Sequence, residues 1–285
     1  EENNVLFFTC GDVRISFNKR NGELNGYRYQ DKMLLGHAPQ PQFWRAPTDN
    51  DFGNRMGILC NVWRTAGQNK EFKGMNVERK DGAVMLTSIY YLRDVASDYT
   101  VKYTVYADGR VEVNGSWKAG NIALPEIPRF GMQMTLAQEF DQFSWYGRGP
   151  WENYSDRNTA SFIGKYTSTV DQQYVAYIRP QENGNKTDVR WLTLTNKEGF
   201  GLRIDGLQPL SVSALRNYPE DFDAGLTKSQ RHINDINPRK AVVLHVDLAQ
   251  RGVGGDNSWG MYPHEPYLLK AKEYTYGYVI SPVAK

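Results

Sequence analysis

The chain has 285 residues, with 34 Lys and Arg against 32 Asp and Glu, for a formal net charge of +2, and its mean hydropathy is −0.62. That balance offers no basic face for a nucleic-acid partner, and no apolar stretch nears the ~20 residues of a membrane helix. With 40% hydrophobic and 13% aromatic residues, the chain can bury roughly three-quarters of its unfolded surface, which excludes disorder as its main state.

Apolar runs at 5–8, 13–17 and 24–29 predict an opening meander, with Asn21-Gly22 as a two-residue hairpin turn between the second and third. Residues 55–65 predict a helix, because Met56, Leu59, Cys60 and Trp63 recur at i, i+3, i+4 and i+7, Asn54 stands as N-cap and Gly67 follows the end. A strand is expected at 84–92. In the next, Tyr99, Val101, Tyr103 and Val105 share one face, Asp108-Gly109 turns the chain, and Val111 and Val113 lie on the return. Further strands are expected at 129–136, 189–195, 200–204, 242–248 and 274–280, and a short helical turn at 219–226 with Pro219 at its first position. No βαβ unit, repeat or linker is visible. The pattern predicts one all-β domain over 1–285, a large antiparallel β-sandwich with one or two short helices.

Three segments carry candidate chemistry. Residues 43–53 set Arg45, Asp49, Asn50 and Asp51 among aromatics, a mix that suits sugar hydroxyls and the C–H face of a sugar ring. The competing reading is a capped loop ahead of the helix, with Asp49 or Asp51 bonding backbone N–H groups. Residues 145–157 read as a loop in which Glu152 and Asp156 lie four apart. A retaining glycosidase needs two carboxyls ~5 to 5.5 Å apart, and Arg148 and Arg157 nearby favour a structural ion-pair network instead. Residues 250–260 are glycine-rich but lack the Lys-Ser/Thr of a phosphate loop and do not match GxGxxG. They read as permissive backbone that either projects Trp259 outward or plugs the sandwich with it.

The remaining polar signals are sparse. His37, His232 and His264 stand in polar surroundings and read as solvated. His245 and Asp247 lie two apart on one strand face, opposite Val242, Leu244, Val246 and Leu248, which suits either an open catalytic pair or a cross-strand hydrogen-bonded one. Cys10 and Cys60 have no metal-ligand spacing and read as free buried thiols. The Asn-x-Ser/Thr triplets at Asn114, Asn153 and Asn185 are short enough to arise by chance.

Taken together and in order, six segments resemble the C-terminal domain of the large β-galactosidases of glycoside hydrolase family two: FWRAPTDNDFG (43–53), WRTAG (63–67), LPEIPRFG (124–131), YGRGPWENYSDR (146–157), RPQENG (179–184) and VDLAQRGVGGDNSWG (246–260). The resemblance implies a supersandwich of the galactose-mutarotase-like type. It also implies that the catalytic glutamates sit on a TIM barrel of the parent enzyme, so that no catalytic residue lies in this chain. Trp259, on a loop shaped by Asp256 and Asn257, would reach the sugar beyond the scissile bond, with Arg45, Asp49, Asn50 and Asp51 as further binding candidates. Two departures stand out, an extra Glu126-Ile127 in LPEIPRFG and Arg251 where an apolar residue is usual.

On this resemblance the domain needs no cofactor, and a divalent metal, Mg or Ca, belongs to the parent enzyme. Asp49, Asp51 and Asp256 offer oxygen atoms without calcium-loop spacing. The expected partners are a β-galactoside, the barrel of the same polypeptide and further copies of the parent; nucleic acid and membrane are not expected. Because residue 1 is Glu, the chain reads as a C-terminal piece of a larger soluble enzyme, cytoplasmic or periplasmic. Three functions compete: a non-catalytic module of a retaining β-galactosidase, an autonomous mutarotase or epimerase using His245, and a stand-alone carbohydrate-binding module. Under the first, the chain alone binds galactose or lactose very weakly or not at all.

Overall fold

Alternating burial organises the chain. In the computed structural model, which describes residues 3–227, 231–257 and 259–284, the first sheet is an antiparallel ribbon of β1 (Val5–Cys10), β2 (Val13–Asn18), β3 (Glu23–Tyr29) and β4 (Lys32–Met33). The hairpin at Asn21-Gly22 is longer than the two residues expected. Asn18 pairs with Glu23, so four residues form the turn, and Gly22 closes it at φ 72° with its N–H on the carbonyl of Asn18.

Next come β5 (His37–Gln42), the helices α1 (Asp49–Gly53) and α2 (Met56–Leu59), then β6 (Lys70–Lys80), β7 (Ala83–Leu92), β8 (Ser97–Val105) and β9 (Val111–Trp117). The single helix expected over 55–65 is divided. Asn54 closes α1 instead of opening a helix, Arg55 turns through φ 63°, and a 3-10 turn follows at Asn61–Trp63. Met56, Cys60 and Trp63 are buried as their spacing predicts, but Leu59 is exposed. Thr48 and Asp51 form a capping box at the start of α1, which fixes how the 43–53 loop enters it.

The second half supplies β10 (Arg129–Ala137), β11 (Gln142–Gly149), β12 (Phe162–Thr169), β13 (Lys186–Thr195), β14 (Gly201–Leu215), the short α3 (Pro219–Phe222), β15 (Ala241–Gln250) and β16 (Tyr274–Val283). Residues 145–149, expected as loop, are strand. The strand expected at 200–204 runs on to Leu215, and the described residues hold three short α-helices instead of one or two.

Among the described residues these strands form a twelve-stranded sheet in the order β12-β11-β13-β14-β16-β9-β8-β7-β6, with β15, β10 and β5 branching from β14. The branch follows from the length of β14. Its first part, Gly201 to Gly206, pairs with β16, whereas Ser211 to Leu215 pair with β15, so one strand serves two layers and the sheet curls over its own core. Trp63 and Trp117 meet edge-on at 5.3 Å inside that core, each with its indole N–H satisfied, by the carbonyl of Pro125 and by Ser97. Ile15, Phe17, Leu24 and Tyr27 of the small sheet join the same cluster. The expected face of Tyr99, Val101, Tyr103 and Val105 is buried in full.

Candidate functional site

Segments far apart in the chain meet at one end of the sandwich. Thr48 and Asn50, Tyr154 and Arg157, Tyr177 and Glu182, and the 253–257 stretch line an open cleft of about 640 Å3. Thr48, Asn50, Tyr154, Arg157 and the 253–257 residues belong to the three segments read as chemically rich, whereas Glu182 lies in the RPQENG segment and Tyr177 in neither.

Trp259 stands on the 250–260 loop with its indole 76% exposed, so it is not a plug. Its backbone, by contrast, is held from both sides. Asn257 Oδ1 accepts the N–H groups of Trp259 (3.1 Å) and Met261 (3.2 Å). Asn50 Oδ1 accepts the N–H of Gly260 (2.9 Å), and its Nδ2 donates to the carbonyl of Met261 (3.0 Å). Gly53 permits this contact between α1 and the loop, since a Cβ there would stand 2.6 Å from Cα of Gly260. Asp156 Oδ2 accepts the N–H of Gly254 at 2.8 Å. Asp256 departs from expectation: its carboxylate pairs with His264 at 2.7 Å, which also means that His264 is not merely solvated.

Beneath the loop lies a closed charge network. Arg45, Asp51 and Arg251 are fully buried. Arg45 Nη2 donates to both oxygens of Asp51 at 3.0 Å and to the carbonyl of Gly252 at 2.9 Å, and its Nη1 donates to the carbonyl of Arg251. Asp51 Oδ2 also accepts the N–H of Thr48 at 3.0 Å. Arg45 and Asp51 therefore cannot touch a ligand; they fix the loops against each other, and the capped-loop reading holds for Asp51. The two departures from the family pattern meet here, with Arg251 and Glu126 paired at 3.4 Å. Asn50 is occupied by the Trp259 loop. Asp49 is half-exposed and pairs with Arg179 at 2.8 Å, while its N–H donates to Gln181.

A second network runs under the cleft floor. Arg129 Nη2 donates to Glu182 Oε1 (2.9 Å), and its Nε lies 3.1 Å from Asp247 Oδ2. Burial pushes the Asp247 carboxyl up to about 8, against the opposing pull of Arg129. His245 is only 4% exposed, and burial, with the charge of Arg129, drives its pKa well below the ordinary histidine range. Its ring nitrogens face Gln133 (2.9 Å) and Ser213 (3.3 Å), the residues directly opposite it on β10 and β15's other neighbour β14. The face is closed, so the cross-strand reading of His245 holds and the open catalytic pair does not.

Glu152 and Asp156 form no acid pair. Glu152 is engaged by Arg157 (2.6 Å), by the hydroxyl of Tyr177 and by the N–H of Gly184 (2.8 Å), whereas Asp156 holds Gly254. The network reading holds for Arg157, but Arg148 pairs with Asp188 instead. Asn153 and Asn185 are buried in mutual hydrogen bonds, out of reach of modification. Cys60 is buried and Cys10 half-buried, and both are free. Among the described residues, no three His, Cys, Asp or Glu side chains are placed to hold a metal, and no helix is long and apolar enough to cross a membrane.

With this geometry in view, the comparisons with known proteins are direct. The profile of the family described as β-galactosidase small chain matches residues 9–280. A β-galactosidase of Priestia megaterium is 38% identical over 280 residues, which is 98% of this chain and 26% of that protein. One from Streptococcus thermophilus is 30% identical over 273 residues, 94% of this chain and 26% of that protein. The chain thus spans about a quarter of the length of these curated relatives. Among solved structures, a galactose 1-epimerase from Lactobacillus acidophilus NCFM superposes with a TM-score of 0.56 at 5% identity, covering 98% of this chain and 93% of that one. A galactose mutarotase related enzyme from Lactobacillus acidophilus gives 0.50 at 10% identity, with 99% of each chain covered. At such identities the likeness speaks for fold alone, and the fold is galactose-mutarotase-like.

Proposed function

We propose, since the chain belongs to the β-galactosidase small-chain family, that it is a non-catalytic β-sandwich domain that forms one wall of a β-galactosidase active site. The observation that carries this reading is Trp259, a largely exposed indole on a backbone clamped by Asn50 and Asn257. An exposed aromatic on a rigid loop suits stacking against the apolar face of a sugar. In this reading Asp256 and Asn257 shape the loop, Asn50 holds it from behind, and Asp49 lines the neighbouring cleft.

The chemistry then belongs to carboxylates elsewhere in a larger enzyme, the glutamates of a TIM barrel. A retaining glycosidase pairs a free nucleophile with an acid of raised pKa. Here the carboxyl with the raised value, Asp247, is fully enclosed, and Glu152 and Asp156 are each committed to structural partners. The substrate would be a terminal β-D-galactoside, and any divalent metal, Mg or Ca, would belong to the larger enzyme.

The test has two arms. The 285-residue chain is assayed alone with nitrophenyl β-galactoside and is expected to be inactive. In a complete β-galactosidase carrying this domain, Trp259→Ala is expected to raise KM or alter transfer to acceptor sugars, with the barrel glutamates still competent. Hydrolysis by the chain alone, or unchanged kinetics in Trp259→Ala, would overturn the reading.

A further inference from the structure

Glu182 lines the floor of the cleft while remaining only 6% exposed. Its Oε1 accepts N–H groups from Arg129 at 2.9 Å and Gln250 at 3.2 Å. Its other oxygen has no hydrogen-bond partner among the described residues. Tyr154 walls the same cleft with its hydroxyl buried and unpartnered, and the Arg157 guanidinium lies 5.4 Å over the Tyr154 ring. Trp259 is not among the residues lining this floor.

We infer that Glu182 anchors a separate binding site for a neutral hydroxylated ligand, a single saccharide unit, on the cleft floor apart from the indole of Trp259.

The chemistry selects the ligand class. A carboxylate oxygen without a protein donor, at the wall of an open cleft, can accept a hydrogen bond from a ligand O–H and repels an anion. A cation is disfavoured because the local charge is already balanced. Arg129 offsets Glu182, and the other carboxyl on Arg129, Asp247, is held towards its neutral form by burial. Arg157 likewise offsets Glu152. A neutral O–H donor remains, and the rings of Tyr154 and Tyr177 with Val253 supply apolar surface for a C–H face. A volume of about 640 Å3 lies within the ~300 to 1,000 Å3 of small-molecule sites.

The choice of galactose as probe rests on the carbohydrate reading above. The 285-residue chain is titrated with galactose, and separately with methylammonium, by saturation-transfer NMR. Galactose is expected to bind weakly, in the millimolar range, and methylammonium not to compete. Glu182→Gln keeps an acceptor towards Arg129 and Gln250 but turns a donor to the cleft, and it should weaken galactose roughly tenfold or more. Val253→Phe narrows the cleft from its loop side without touching the buried network, and it should weaken binding in a fold verified by circular dichroism. In a Trp259→Ala background, Glu182→Gln should weaken binding by the same factor as it does in the wild type.

No detectable galactose binding, wild-type affinity in both Glu182→Gln and Val253→Phe, competition by methylammonium, or no effect of Glu182→Gln once Trp259 is alanine would each overturn the inference. The last outcome would still favour the Trp259 wall, whose own test is the KM of the complete enzyme, so the two readings fail separately.

Discussion

Arg251 reaches back 200 positions in sequence to place Nη1 2.8 Å from Oδ1 of Asp51, in a site where neither side chain meets solvent. Arg45 shares the same carboxylate, so one acidic group holds two buried guanidinium groups together. The arrangement ties the 43–53 and 250–260 segments into one rigid block under Trp259. It also converts an unusual residue, Arg251, into a requirement: a second arginine in a closed interior needs Asp51, with Glu126 alongside.

Removing that carboxylate should therefore be severe. Asp51→Ala leaves Arg45 and Arg251 buried without their partner and forfeits the Thr48 capping box, for an expected loss of about 3 to 5 kcal/mol. Asp49→Ala, two positions away at a half-exposed ion pair, should cost no more than about 1 kcal/mol. Denaturant midpoints of the two variants check this directly, and comparable losses would mean that the buried network carries no special weight.

Asp247 predicts a pH dependence with a definite sign. Its folded pKa, pushed up to about 8, lies above the 3.8 of an ordinary aspartate, so across that window the folded state keeps a proton that the unfolded state releases. The contribution of this group is full below pH 3.8, is lost progressively as pH rises towards 8, and is constant beyond. Asp247→Asn preserves the shape and cannot ionise. It should match wild type near pH 4 and exceed it by several kcal/mol near pH 9. Urea melts at both pH values decide the matter; parallel curves would place an ionised carboxylate there in spite of its burial.

The fold was legible where one face of a strand is buried and the other is not. Tyr99, Val101, Tyr103 and Val105 are buried because β8 lies between β7 and β9 with one face in the core, while on the other face only Thr104 is buried as well. Strands at the margins were missed for physical reasons. β5 carries Pro39 and Pro41, which a central strand would not tolerate, and it pairs with β10 alone. β6 is a largely exposed edge rich in Lys and Glu. β11 was hidden by Gly147 and Gly149, read as loop residues. Both are there for space, since a Cβ on Gly147 would stand 2.8 Å from Cα of Val189, and one on Gly149 would stand 2.9 Å from the Trp145 ring.

The site was legible in its loops but not in its charges. A buried arginine and a solvated one look alike in sequence. Only the fold brings Arg45 to Asp51 and Arg251, or Arg129 to Glu182 and Asp247. Glu182 lay within the RPQENG segment, yet nothing local distinguishes it from a surface glutamate. The period-two placement of His245 and Asp247 puts them on one face, but what closes that face is Gln133 and Ser213 of the neighbouring strands, 112 and 32 positions away from His245, which local sequence does not show.

That closure carries a prediction for the mutarotase reading. His245 is held between Gln133 and Ser213, and its pKa is pushed down by burial, so it is neutral and out of contact with solvent. Polarimetry of fresh α-galactose should show no acceleration by the chain, and His245→Ala should change stability instead of any rate. Acceleration that disappears in His245→Ala would reinstate an autonomous enzyme.

Trp259 separates presentation from packing. Its loop is fixed by bonds to main-chain atoms, from Asn257 to the N–H groups of Trp259 and Met261 and from Asn50 to Gly260 and Met261, none of which uses the indole. Trp259→Ala should consequently leave the loop in place and cost the chain far less than the ~3 to 5 kcal/mol of emptying a core tryptophan site, such as that of Trp63 or Trp117. Fluorescence offers an independent check. Trp151 and Trp259 are both largely exposed, so Trp259→Ala should remove part, but not all, of the emission that acrylamide quenches readily. Asn50→Ala gives the converse, an intact indole on a loosened frame. In a complete enzyme it should raise KM in the same direction as Trp259→Ala but by less, because the ring remains available in a fraction of loop conformations. A fall in melting temperature for Trp259→Ala as large as that for Trp63→Ala would make the indole a packing element, and the wall assigned to it would have to be withdrawn.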